Sequence, residues 1–106
     1  MLKHCKSCEG GVRPMDSSTA QKELAGLKNW NLGEDKKSIW KSWEFKNHYQ
    51  VMGFINAIAF ISQREKHHPD ISFGYNNCRV SYSTHAIDGL SENDFICASF
   101  IDALED

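Results

Sequence analysis

The chain has 106 residues, of which 41% are hydrophobic and 25% charged, with a formal net charge of -2. A typical domain takes roughly 100–150 residues, so residues 1-106 are expected to form a single domain, with 1-15 as a loop-like N-terminal extension. The small negative charge argues against a large basic surface for nucleic acid, and no apolar run approaches the roughly 18–20 residues that cross a bilayer. With no secretory leader pattern at its start, the expected compartment is the cytoplasm.

Near the N-terminus, Cys5 and Cys8 form a C-x-x-C beside His4, which is half of a zinc ligand set. No second C-x-x-C and no H-x₃₋₅-H completes it, so no bound metal is expected. All four cysteines, Cys5, Cys8, Cys78 and Cys97, are expected to be free thiols, because a reducing compartment disfavours disulfides.

In "DSSTAQKELAGL" Ser18 and Gln21 have capping-box spacing, and Ala20, Leu24 and Leu27 recur at helical intervals. A short first helix is expected there. Trp30 and Leu32 then alternate toward the polar turn "GEDKK". Strand character resumes in "SIWKSWEF", with Ile39, Trp43 and Phe45 on one face and Trp40, Ser42 and Glu44 on the other.

Asn47 can cap "HYQVMGFINAIAFISQREK", which is apolar almost continuously from Val51 to Ile61. One small sheet can cover only a stripe of such a helix, so a partner subunit is expected on the remainder, the alternative being a helix wedged deep in its own core. Pro69 forces His68 out of helical geometry, which ends the helix near Lys66 or His67. "ISFGY" and "CRVSYST" flank Asn76-Asn77, expected as a type I′ turn. The second strand should turn Cys78, Val80, Tyr82 and Thr84 to one face, and Arg79, Ser81, Ser83 and, if it runs on, His85 to the other. Ser91 and Asp94 have capping-box spacing ahead of a last helix marked by Phe95, Ala98, Ile101 and Leu104. The order α-β-β-α-β-β-α predicts an α+β two-layer sandwich, a four-stranded antiparallel sheet with helices on one face.

Three histidines then need an explanation: His67 and His68 at the helix end, and His85 beyond the last strand. They can be metal ligands, local satisfiers of backbone groups, or an acid/base set. No convergent carboxylate or H-x-x-x-H spacing supports a metal. Imidazole, with an ordinary pKa of about 6.5, both gives and takes protons near neutrality, and a helix end and a strand end can meet at one cleft.

"EKHHPD", Tyr75, Val80, "STH" ending at His85 and "GLSENDF" containing Asp94 resemble the signature of the pterin-4a-carbinolamine dehydratases. Trp30, "IWKSWEFKN", "GFINAIAFI" and "ASFI" extend the resemblance over nearly the whole chain from about Met15. It implies the same α+β sandwich, assembly as a homo-oligomer (dimer or tetramer), and no metal or cofactor. One branch of that family doubles as a dimerisation cofactor of a homeodomain transcription factor, so an interaction protein or coregulator using the apolar central helix is the alternative. The sequence departs from many relatives at Gln63, where they carry a carboxylate four residues before the first histidine; Glu65 lies two residues later.

Carried over by position, His67, His68 and His85 fall on the family's three active-site histidines, and Asp94 falls on its motif aspartate. The reaction implied is loss of water from a 4a-hydroxy-tetrahydropterin, released by aromatic amino-acid hydroxylases, to give the quinonoid dihydropterin. His67 and His85 are expected to carry the proton transfers and His68 to orient the pterin. Ser83, Thr84 and Asp94 are further candidates for binding it. Asp94 also has a complete local explanation as the third residue of a helix cap.

Overall fold

The computed structural model describes residues 13–104. The C-x-x-C of Cys5 and Cys8 lies outside them. Asp16 accepts the Thr19 backbone N–H and caps α1, Ser17–Leu24. The cap is thus two residues earlier than Ser18, because a carboxylate before the first turn is the stronger acceptor for its free N–H groups. A two-residue strand β1, Asn31–Leu32, pairs with β2, Ile39–Glu44. The helix α2, His48–Glu65, begins under an Asn47 side chain that accepts the Gln50 N–H and ends at Lys66 in the left-handed region, three residues before Pro69. Strands β3, Asp70–Phe73, and β4, Asn77–Tyr82, follow, then a 3-10 helix at His85–Ile87 and α3, Glu92–Ala103.

The strand order is β1-β2-β4-β3, and every neighbour is antiparallel. Two hairpins therefore lie side by side, joined along β2 and β4 with α2 connecting them. Ile39, Val80 and Tyr82 on the sheet share one buried cluster with Ala20 of α1, Val51 and Ile58 of α2 and Ile101 of α3. The three helices thus cover one face. Ile58 and Val80 are fully buried, and truncating such side chains costs about 2–5 kcal/mol for Ile→Ala and less for Val. The other face is open, with the Arg79 guanidinium lying 3.8 Å from the Trp40 ring centroid.

Two local expectations are corrected. Phe73 pairs with Cys78, and Gly74 donates its N–H to the Asn77 carbonyl, so the β3–β4 turn centres on Tyr75 and Asn76. Neither adopts a positive φ, and Asn77 is already in the strand. The second strand also stops at Tyr82. His85 does not continue it but opens the 3-10 helix, because Thr84 bridges to Gly89 and closes a tight loop between them.

Lys41 is an inward residue that alternation alone makes awkward. Its ammonium lies 3.5 Å from Asp102 of α3, whose carboxylate also accepts the Trp30 indole N–H at 2.8 Å and the Lys28 backbone N–H at 2.9 Å. A buried charge is tolerable only with such partners, and this cluster ties α3 to the sheet. Cys78 and Cys97 are buried free thiols, and burial pushes the Cys78 thiol up from its ordinary value. No helix among the described residues is long and apolar enough to cross a membrane.

Candidate active site

The end of α2 sets the direction of His67. Lys66 turns left-handed, the His67 N–H reaches back to the Ser62 carbonyl at 3.2 Å, and Pro69 holds the chain extended beyond. The His67 ring is thereby turned inward, with 12% of its side chain exposed. Its Nε2 lies 2.6 Å from Asp94 Oδ1, and its plane is within 7° of the Tyr82 ring, centroids 5.7 Å apart.

Asp94 is fully buried. Its Oδ2 accepts the Thr84 hydroxyl at 2.9 Å and the Ser91 backbone N–H at 3.0 Å, the latter closing the capping box of α3. The Ser91 hydroxyl lies 2.7 Å from that of Thr84; with the Thr84 proton given to Asp94, Ser91 is its donor. Donors thus occupy Oδ2, and a carboxylate accepts only, so the hydrogen of the Asp94–His67 bond belongs to Nε2. Nδ1 is then the ring nitrogen without a bond to Asp94.

His85 stands one residue beyond Thr84, exposed, on the wall of a cleft of about 190 Å³. Ser83, Thr84 and Asp88 form that wall with it, and Asp35 and Lys37 from the β1–β2 connection form the facing one. Lys37 reaches across to Asp88 at 2.9 Å, and this hydrogen bond raises its pKa above the ordinary 10.5. Thr84 is the joint of the arrangement: its hydroxyl belongs to the Asp94 network and its residue lines the cleft.

The histidines expected to act together are therefore arranged unequally. His67 and Asp94 are in direct contact, and His85 is tied to them through Thr84. His68 is exposed and makes no hydrogen bond or ion pair among the described residues. Gln63 is exposed too, and Glu65 turns to Arg64 Nε at 2.9 Å. Sequence reasoning missed Asp35, Lys37 and Asp88, whose approach depends on strand register rather than on any local pattern. Tyr82 was readable as inward-facing but not as the neighbour of His67. Among the described residues no group of three or more His, Cys, Asp or Glu side chains could hold a metal.

A three-helix layer on a four-stranded antiparallel sheet, carrying this site at one end, has the fold of the pterin dehydratases. A crystal structure of a transcriptional coactivator/pterin dehydratase from Brucella melitensis superposes with a TM-score of 0.83 at 26% identity, over 87% of this chain and 98% of that one. A pterin dehydratase-like protein identified as a RuBisCO assembly factor in the alpha-carboxysome shares the fold at a TM-score of 0.63 and 23% identity, over 73% and 89%.

The chain belongs to the pterin 4 alpha carbinolamine dehydratase family, whose model matches residues 13–104. A protein of Nitrosospira multiformis, provisionally named as such a dehydratase, is 55% identical over 103 residues, 96% of this chain and 88% of its own length. Another of Nitrosomonas europaea, named alike, is 55% identical over 101 residues, 94% and 88%.

Proposed function

We propose that this protein removes water from a 4a-hydroxy-tetrahydropterin. The observation that carries the reading is the His67–Asp94 bond, joined through Thr84 to the cleft of His85. In the reaction the C4a–O bond breaks, N5 loses its proton, and the electron pair of that N–H bond becomes the C4a=N5 double bond of the quinonoid product. No electrons enter or leave. Hydroxide is a poor leaving group, so the oxygen must be protonated as it departs, and an acid and a base are each worth typically 10²–10⁴ in rate.

The roles divide by environment. His67, with Nε2–H directed at a buried carboxylate, keeps Nδ1 free to take the N5 proton, and Asp94 stabilises the imidazolium that results. His85, open to the cleft, gives a proton to the departing oxygen. His68 orients the pterin, and the polar groups of Ser83 receive its flat hydrogen-bonding edge, while Thr84, engaged by Asp94, Ser91 and Gly89, holds that wall in place. Asp94 acts on substrate through His67. The wider role is recycling of tetrahydropterin for aromatic amino-acid hydroxylases in the cytoplasm, by a single domain spanning the chain.

We also propose a homo-oligomer assembled on α2. Tyr49 and Phe60 are 86% and 66% exposed there, and Met52, Phe54 and Ala57, with Leu104, help line an open groove of about 670 Å³. An apolar surface of this kind favours a partner.

The test is dehydration of freshly generated 4a-carbinolamine by the purified chain. His67→Ala and His85→Ala should each lower kcat by about 10²–10⁴, and His68→Ala should raise KM more than it lowers kcat. Near-wild-type turnover in all three would remove the acid/base reading and leave an interaction protein as the better account.

A further inference from the structure

Tyr82 does something that the cap, the cleft and the three histidines leave unexplained. It is fully buried at the last position of β4, yet one face of its ring lies parallel to His67. Its position is fixed from behind: the Trp30 ring is 6.1 Å away, and Trp30 is itself anchored by its indole N–H on Asp102. Trp43 meets Trp30 edge-on at 5.7 Å. A chain of aromatic contacts, edge-on at Trp43, tilted at Trp30 and parallel only at its last step, thus leads from the sheet to the His67 imidazole.

We infer that Tyr82 is a positioning residue of the site, the platform on which the His67 ring lies flat while Asp94 holds it by one edge. A single hydrogen bond fixes the distance of Nε2 but leaves the ring free to swivel about the bond. A flat neighbour removes that freedom, and the two contacts together fix where Nδ1 points. The platform also has a sign. The face of a phenol ring is electron-rich and attracts a cation placed over it, so it favours the imidazolium over the neutral ring. The groups that face His67 are Asp94 from α3 and Tyr82 from β4. In its own segment stand Lys66, His68 and the Arg64–Glu65 pair, whose guanidinium also lies over the Phe100 ring.

The inference rests on the proposed dehydration for its kinetic consequence, but its structural part can be read without substrate. In the unliganded protein the Nε2 proton, held in a 2.6 Å bond to Asp94, should give a slowly exchanging downfield NMR signal. Tyr82→Phe keeps the ring and should keep that signal, with kcat within about twofold. Tyr82→Leu removes the platform. Its signal should broaden away, its kcat should fall by about tenfold at nearly unchanged KM, and the limb of the kcat profile set by His67 should move to lower pH.

If Tyr82→Leu does not fold, phenylalanine and its tri- and pentafluorinated analogues at this position decide. The protonation constant of His67, followed by its ring NMR signals, should fall stepwise as fluorine withdraws density from the face, by up to about thirtyfold overall. Overturning outcomes are a folded Leu variant with signal, kcat and pH profile intact, a Phe variant as impaired as Leu, or no trend along the fluorinated series. A wild-type chain inactive on the carbinolamine would instead sink the proposed reaction, while the NMR result would still decide the role of Tyr82.

Discussion

At Asp94 one oxygen accepts from His67 while the other accepts from Thr84 and from the Ser91 backbone, so helix cap and ring share a carboxylate. An amide of the same shape cannot serve both. In Asp94→Asn the single oxygen is claimed by the two donors on the cap side, and the NH₂ is turned to His67, which forces its proton onto Nδ1. We expect kcat to fall by about 10²–10⁴ with the fold retained, whereas Asp94→Ala should lose the cap as well and unfold at lower urea. An Asn variant with full turnover would show that the carboxylate does not set the tautomer. Asp16 supplies a separate pH effect. Its carboxyl is held below the ordinary 3.8 chiefly by the Thr19 backbone N–H, so its contribution is present above that value and is lost as pH falls through the folded one. Acid unfolding curves of wild type and Asp16→Asn should converge as pH drops below about 3.8. Local pattern made Asp94 legible as a cap, because its cap partner is three residues away, and the resemblance marked it as a motif aspartate; its contact with His67 was not legible, because that ring lies on a different element.

The elements were legible where a local group with one strong preference fixes an end. Asn47 and Pro69 bracket α2 as expected, and Ser91 with Asp94 opens α3. They were not legible where two local solutions compete. Either Asn76-Asn77 or Tyr75-Asn76 can carry a turn, and the pairing of Phe73 with Cys78 selects the second. Likewise nothing between Tyr82 and His85 forbids strand; the return of the chain at Gly89 to bridge Thr84 is what ends it. Lys66 shows what such an end costs. It holds φ 54 at the α2 C-cap, where a side chain is disfavoured and glycine is not. Lys66→Gly should therefore stabilise the protein by up to about 1 kcal/mol despite the added chain entropy of glycine, read as a higher urea midpoint at unchanged slope. A lower midpoint would mean that the lysine side chain contributes more than its backbone costs.

For the whole molecule, the apolar circumference of α2 from Val51 to Ile61 was legible as a surplus, and the exposed Phe60 is part of that surplus in place, with Tyr49 exposed just before it. Under the proposed assembly, Phe60→Glu should shift the sedimenting mass toward the monomer without changing the helical circular dichroism, since Phe60 is two-thirds exposed within its own chain. An unchanged mass would put the interface elsewhere. The facing walls of the cleft were beyond sequence reading for a reason of topology: Lys37 and Asp88 meet because β2 and β4 are neighbours. That central pairing has a temporal side as well. Its partners run from Glu44↔Asn77 out to Ile39↔Tyr82, so it closes over the whole of α2 and both of its connections. Closing so long a loop costs entropy before any contact repays it, which puts this step late in folding. His85, Thr84 and the platform under His67 all depend on it. A chain with its helices formed but its two hairpins still apart would carry every residue of the site and no site, so catalytic competence arrives with the last long-range contacts rather than building up along the way.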